Sequence, residues 1–394
     1  MSGTVGRNVA GALANAGRTP GRRGRRRART GARVGWPTAV RRSYASNIWV
    51  VDVGERVSPL KGRVKATDVA EHAGVSIATV SLVANGKAEG RVSATTEARV
   101  RASIAALGYV VNPAARSLVT GRHHRVALVA HDIANPFIAA TAAGVGEVFG
   151  KDMQLILAAA TGEDGPPDIA TISSFGVDGM LVNIAGIQDD PQLGEAGFPV
   201  VVLDESQGPP GLSRVYFDVG IGATQLSEHL AGLGHRVVVY LDSERVRETF
   251  DDRRERFTAA FRRHVHRAKI VSARSRIDMH VAQALVARSL PAWRRQGATA
   301  IVTATDVQAY GVLAALAEEG VEVPDVLSVA SFDNNPIAAV THPPLTSVDL
   351  PARELGREAA LLVVDQIEKG VRPGRSVILP TSLVVRRSTG PAPT

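Results

Sequence analysis

Read along the chain, the spacing of apolar residues changes three times. Residues 1–45 are rich in Ala, Gly and Arg and show no apolar period, so no core is expected there and disorder is the default. From Thr67 the spacing becomes helical. Val69, Ala70 and Ala73 share one stripe, and Gly74 ends that helix as a residue able to take positive φ. Val75 is a core contact, Ser76 an N-cap, and a second helix is predicted over Ile77–Ala84 with Val80 and Val83 inward. Ile77, Ala78, Ser81, Leu82 and Asn85 are left outward. A third helix, Thr95–Leu107, carries Val100, Ile104 and Leu107 on one face and stops at Gly108-Tyr109. Asn112 then caps a short helix with Pro113 at its first position. Too short to hold alone, that helix needs a partner to fold on.

After Arg125 the pattern changes to apolar runs separated by helical stretches. Strands are predicted at Val126–Ala130, Gln154–Ala158, Gly179–Asn183, Val200–Leu203, Arg236–Leu241, Ala300–Thr303 and Val326–Phe332. Between them fall helices such as Phe137–Phe149, Ile221–Leu233, Arg253–His264, Val281–Leu290 and Val307–Glu319. This alternation predicts parallel, doubly wound sheets with ligands at the strand C-terminal ends. The stretch is about 270 residues, enough for two such lobes and a cleft.

Composition narrows the picture. The 394 residues are 45% hydrophobic and 21% charged, as expected of a globular protein, and contain no cysteine. That excludes a disulfide scaffold, a thiolate zinc site, an iron–sulfur cluster and a cysteine nucleophile. The net charge of +8 is unevenly placed. Residues 1–62 hold 13 Lys and Arg against Asp52 and Glu55, which makes them +11. Residues 63–121 hold 7 basic and 4 acidic residues, or +3, and the remainder is −6. The leader has neither the apolar stretch nor the cleavage site of a secretory signal. It reads as an over-extended start, a transit-like segment or a non-specific DNA-binding arm. No apolar run approaches the ~18 residues of a membrane span, so no membrane is expected and a cytoplasmic location is.

Asp68-Val69-Ala70, Ala73-Gly74-Val75-Ser76, Thr79-Val80-Ser81, Asn85-Gly86, Leu107-Gly108-Tyr109 and Ala115-Arg116-Ser117-Leu118 follow in register over about sixty residues, a span that fits one small helical domain and its linker. This series resembles the DNA-binding head and hinge of LacI/GalR-type transcriptional regulators. Two departures are Lys65, where the family usually has a capping Thr, and a long loop at Gly86–Arg91. The resemblance implies a multidomain chain: an all-α helix-turn-helix head over 63–110, a hinge helix over 111–123, and a periplasmic-binding-protein-like α/β sensor of two doubly wound lobes over 124–390. It sets Ile77, Ala78 and Leu82 against base edges, where readout rests on shape and thymine-methyl contact because none makes a bidentate hydrogen bond. Ser76, Thr79, Ser81 and Asn85 are placed for phosphate contact or capping, with Thr79 equally open to a plain helix-interior role. Leu118 matches a leucine that wedges into the minor groove, with Ala115 beside it and Asn112 at the start of the hinge.

The resemblance continues through Asp132-Ile133-Ala134-Asn135-Pro136-Phe137, Val177-Asp178-Gly179, Leu230–Arg236, Thr305-Asp306, Val323-Pro324, Phe332-Asp333-Asn334 and Pro343–Val348. It implies three crossings between lobes, expected near 219, 334 and 349. Its pocket positions fall on Asp132, Asn135, Phe137, Asp204, Arg247, Thr249, Arg253 and Asp306. Two carboxylates and an arginine over an aromatic face suit a polyhydroxylated ligand, a carbohydrate or nucleoside. The plainer reading of Arg253 is an ion pair with Asp251 or Glu255 on a solvated helix start. Gly162–Ser174 is shorter and richer in Pro and Gly than the usual helix, and Ser331 replaces a frequent Gly, a change expected to leave the pocket chemistry untouched.

Two rivals remain. An enzyme could be imagined from Asp204, Asp306 and His235, but His235 sits in a helix-capping context, and neither a GxxxxGK[ST] loop nor a GxSxG elbow is present. His123-His124 and His264-Val265-His266 lack a third metal ligand. No catalytic residue, metal or cofactor is therefore expected. A secreted sugar-binding protein would share the sensor but lack the head. The sequence thus predicts a homodimeric, effector-controlled regulator, a repressor reading a near-palindromic operator.

Overall fold

The computed structural model describes residues 40–42, 49–51, 64–110, 117, 121–159, 169–184, 191–208, 210–244, 247–370 and 374–393. The chain divides into two compact units, Met1–Val110 and Val111–Thr394. In the first, β1 (Val40–Arg42) and β2 (Trp49–Val51) form an antiparallel pair with Val40 opposite Val51. This corrects the expectation of an unstructured leader at these six residues, where β-branched and aromatic types cluster. The rest of 1–62 lies outside the described residues.

The head is α1 (Ala66–Ala73), α2 (Ile77–Ala84) and α3 (Ala94–Leu107). Val69, Ala73, Val80, Val83 and Val100 are buried together, so the stripes read from the sequence close on one another. Gly74 takes φ 61°, the left-handed geometry that ends α1 and turns the chain into α2. Ser76 Oγ accepts from Thr79 N at 3.2 Å, capping α2. At the start of α1 the Asp68 carboxylate accepts from Lys65 N at 2.8 Å, which satisfies the N-cap backbone although Lys65 itself offers no side-chain cap. The hinge residues Asn112, Ala115 and Leu118 lie outside the described residues.

The second unit holds two six-stranded sheets. Lobe one uses β3 (Arg125–Ala130), β4 (Gln154–Ala159), β5 (Gly179–Asn183), β6 (Val200–Leu203) and β7 (Ser213–Asp218), with α4 (Pro136–Phe149) and α5 (Ile169–Ser174) between strands. Lobe two uses α6 (Val219–Gly232), β8 (Val237–Ser243), α7 (Glu248–His264), β9 (Lys269–Ser275), α8 (Met279–Arg295), β10 (Ala300–Thr303), α9 (Asp306–Glu318), β11 (Ser328–Asp333) and β12 (Thr346–Asp349). The chain then gives α10 (Ala352–Lys369) and β13 (Ser376–Pro380) to lobe one and β14 (Ser382–Val384) to lobe two. The strand orders are β13-β7-β6-β5-β3-β4 and β14-β12-β11-β10-β8-β9, parallel except for β12 with β14. Both faces of each sheet are covered. Val126, Leu128 and Ala130 join Phe137 and Val145 on one face, while Ala127 and Val129 join Ile172 and Met180 on the other. That two-sided burial is why these strands read as unbroken apolar runs. Strands β7, β9, β12, β13 and β14 and helices α5 and α10 are additions to the predicted elements. β7 alternates buried and half-buried residues, and β9 is an edge strand whose outer residues are polar.

Two of the expected crossings fall where the resemblance put them, at Asp218-Val219 and after Asp349. The third does not lie near 334, because β11 and β12 pair in one sheet, with Ala330 opposite Thr346; it lies at Thr381, between β13 and β14. Thr381 Oγ1 donates to the Asp218 carbonyl at 2.7 Å and accepts from Gly222 N at 3.0 Å, tying the first crossing to the third. A Cβ on Gly222 would stand 2.3 Å from Val348 Cγ1, so only glycine lets α6 approach this seam. No helix among the described residues is long and apolar enough to cross a membrane.

Candidate functional site

Sheets of this kind leave a crevice at their strand C-terminal ends. Here a cleft of about 960 Å³, counting its open mouth, is lined by residues just beyond β3 (His131, Asp132), β6 (Asp204), β9 (Arg276, Ile277, Asp278), β10 (Thr305) and at the ends of β5 (Asn183) and β11 (Asp333). α4 adds Phe137 and Ile138, its N-cap Asn135, and α7 adds Phe250, Arg253 and its N-cap Arg247. Of the eight residues expected in the pocket, Asp132, Asn135, Phe137, Asp204, Arg247 and Arg253 come together on this surface.

Arg253 is the center of the site. It is 2% exposed, which corrects the reading of a solvated helix start: neither Asp251 nor Glu255 is its partner. Its Nη1 donates to the Ala304 carbonyl at 2.9 Å and to Asp333 Oδ1 at 3.1 Å, and its Nη2 lies 3.7 Å from Asp204 Oδ2. The guanidinium lies over the rings of Phe250 and Phe332, at 5.2 and 5.8 Å. Burial raises the Asp333 carboxyl above the usual carboxylate range, with nearby Asp306 and Asp204 adding to this and Arg253 opposing it. Asp204 and Asp333 both sit at positive φ, 59° and 112°, conformations few side chains adopt. Such outliers cluster where a structure must aim a group.

Thr249 and Asp306 are not on the cleft surface. Thr249 Oγ1 donates to Asp204 Oδ1 at 3.0 Å, so it touches the site through that carboxylate. Asp306 is fully buried, and its carboxylate accepts from Ser331 Oγ, from Ser347 Oγ at 2.7 Å and from Asn335 N at 2.6 Å. All three of these hydrogen bonds lie inside lobe two. Ser331, expected to be neutral to the site, is thus a direct partner of Asp306. Asp132 and Asn135 also serve the backbone, accepting from Ala134 N at 2.9 Å and Phe137 N at 3.0 Å. His235 bonds Thr299 Oγ1 at 2.8 Å and the Gly390 carbonyl at 3.1 Å, and burial pushes its pKa down to about 4. It is a neutral brace for the C-terminal tail.

Sequence reasoning missed Asn183, Phe250, Arg276, Asp278, Thr305 and Asp333 as lining residues. Asn183 and Asp333 carried a usable signal, a polar residue closing an apolar strand. Arg276 and Asp278 follow β9, which was not predicted.

On the head, Ser76, Ile77, Ala78 and Ser81 are exposed on α2, Ile77 to 51%, while Thr79, Leu82 and Asn85 are half-buried. The Thr79 hydroxyl bonds Ser76 Oγ at 2.9 Å, and Asn85 Nδ2 donates to the Ser81 carbonyl at 2.7 Å. Both are occupied within the helix, and α2 presents a small, uncharged outer face.

The sequence pattern described as bacterial regulatory proteins, lacI family, matches residues 66–112, and the periplasmic binding protein-like domain matches residues 227–389. The chain is 32% identical over 348 residues to the HTH-type transcriptional regulator CelR of Thermobifida fusca, covering 81% of this chain and 96% of that protein. A solved transcriptional regulator CelR–cellobiose complex superposes with a TM-score of 0.59 at 28% identity, over 83% of this chain and 100% of that one. The lac repressor dimer bound to operator and an anti-inducer shares the fold, with a TM-score of 0.70 at 24% identity over 83% and 99% of the two chains.

Proposed function

Because this chain belongs to the LacI family of bacterial regulatory proteins, we propose that it is a transcriptional repressor whose operator affinity is set by a neutral, polyhydroxylated effector in the cleft. The observation that carries this reading is the charge on the cleft walls. Asp132, Asp204, Asp278 and Asp333 face Arg247, Arg253 and Arg276, a near balance that favors an uncharged ligand. Charged partners strengthen hydrogen bonds to hydroxyl groups, and Phe137 and Phe250 offer apolar faces for a sugar ring or a nucleobase. A disaccharide such as the cellobiose of the CelR complex is within the class.

In this reading α2 of two heads meets two half-sites of a near-palindromic operator, since a two-fold dimer imposes that symmetry. Ile77, Ala78 and Leu82 select by shape and thymine-methyl contact, and Ser76, Thr79, Ser81 and Asn85 lie toward phosphates. Residues 111–123, with Asn112, Ala115 and Leu118, act as the hinge. Effector and operator each change the affinity for the other by one common factor. The relatives are regulators and the cleft is a binding site, so no enzymatic role is assigned. The test is thermal unfolding of the full chain with a panel of mono- and disaccharides and nucleosides. A binder at a hundred times its Kd raises stability by about 2.7 kcal/mol. A panel in which only anionic compounds stabilize would overturn the neutral-effector reading.

A further inference from the structure

The N-terminal turn of α7 belongs to lobe two, yet its side chains are held by lobe one. Arg247 Nε donates to Glu205 Oε1 at 2.8 Å, and Arg247 Nη1 donates to Asn183 Oδ1 at 3.1 Å. Beside it, the Glu248 carboxylate accepts from Ser206 Oγ and from Gln207 N at 2.8 Å. Arg214 in turn holds the Ser206 carbonyl at 2.7 Å, fixing the 204–207 loop to β7. Glu205 is 2% exposed and lies off the cleft surface. Among the described residues, its Oε2 and Arg247 Nη2 are buried without a hydrogen-bond partner.

This arrangement divides the guanidinium. Two of its nitrogens are committed to lobe one by hydrogen bonds, and the third, Nη2, stands 4.0 Å from Asp204 Oδ2 on a residue that lines the cleft. A planar fork held at two points has its third direction fixed. We propose that Glu205 is the positioning residue of the effector site: from one lobe it aims Arg247 of the other, so that the contact which orients this donor also draws the cleft shut. The inference rests on the cleft being the effector site and adds a residue that acts on it without touching the ligand.

Glu205 keeps poor company for a carboxylate. Burial pushes its pKa up to about 7, with Arg247 opposing the rise and Asp204 on its own loop and Glu248 from α7 adding to it. Parting the lobes would return Glu205 to water and to the ordinary carboxylate range. The closed state then binds a proton more firmly than the open one. Closure is fully favored below the ordinary carboxylate pKa, loses ground as pH rises toward 7, and is level above it. The Glu205 contribution alone makes the closed-to-open ratio fall about tenfold between pH 6 and pH 8, and the buried Asp333 carboxyl adds its own share in both parent and variant. Protonation does not remove the hydrogen bond, because a neutral carboxyl oxygen still accepts from Arg247 Nε.

The absence of cysteine makes the test direct. Lys151→Cys and Gln296→Cys place one dye on an exposed position of each lobe, and single-molecule energy transfer on the ligand-free full chain reads closure. Glu205→Ala is expected to lower the closed-to-open ratio at both pH values. Glu205→Gln, which keeps the acceptor but not the charge, should be more closed than the parent at pH 6 and should lose the Glu205 fall between pH 6 and pH 8. A merely structural role would not flatten the pH profile, and the glutamine variant stays informative even if the alanine variant misfolds. Closure in Glu205→Gln that follows pH as the parent does would overturn the assignment, as would Glu205→Ala closing like the parent. A sugar and nucleoside panel without a binder would remove the effector reading and leave these ratios standing, so the two failures are separable.

Discussion

The two surfaces proposed to face other molecules are built on opposite principles. On α2 the outer face is local, exposed and uncharged, and Ser76, Ile77, Ala78 and Ser81 come from one turn and a half of helix. In the cleft the key groups are distant in sequence, buried and charged, and Arg253 reaches Asp204 and Asp333 from a different element. In the proposed reading, substitution of Ile77, Ala78 or Ser81 on the first surface removes a contact with the partner and little else, the cap Ser76 aside. In the second it leaves a desolvated charge behind, so recognition and stability cannot be changed separately. Ligand occupancy will therefore register as stability in the sensor, while operator contacts register mainly as affinity.

The sharpest test of that contrast is Arg253→Ala. Removing the shared partner of Asp204 and Asp333 should cost about 3 kcal/mol of sensor stability by denaturant unfolding, together with the effector response. Asp306→Asn comes next. It exchanges an acceptor of three hydrogen bonds for a weaker one, costs about 2 kcal/mol, and leaves effector affinity unchanged by calorimetry. An altered affinity would return Asp306 to the cleft. Ser76→Ala removes the cap of α2 and should cost about 1 kcal/mol of head stability, seen by circular dichroism, with no change in ligand binding. Smallest in stability is Ile77→Ala, expected within about 0.5 kcal/mol because the side chain is half exposed. Its effect belongs to operator affinity in a gel-shift assay, and a large loss of stability would break the comparison at the head.

The same contrast explains what could be read in advance. The head was legible because its spacing, Gly74 turn and Ser76 cap are all nearest-neighbor facts, and the packing of Val69, Val80 and Val100 follows from them. The two-lobe alternation was legible for a similar reason, since strands buried on both faces announce themselves. The cleft was legible only in part. Arg253 was found through the family resemblance, whereas Asp333 was quoted within a motif and given no role. At the end of β10 the family resemblance pointed to Asp306, whereas Thr305 is the residue that lines the cleft. The first turn of α9 carries Asp306 inward toward Ser331 and Ser347, and leaves Thr305 on the wall. Which neighbor faces the ligand is decided by the turn, a fact that spacing does not contain. β9 escaped because an edge strand with polar outer residues has no apolar run.

Asp204 takes φ 59°, and this limits which residues can follow it there. Besides glycine, only asparagine and aspartate visit that backbone region with ease. Glutamate, with the same charge and a longer reach, is the wrong shape for the backbone. Asparagine fits the backbone and removes the charge. The position can thus drift along one axis, charge at constant geometry, and a single base change in a codon would carry it there. A lineage retuning this sensor toward a different effector has that step open to it without straining the backbone, at the cost of a weaker partner for the buried Arg253.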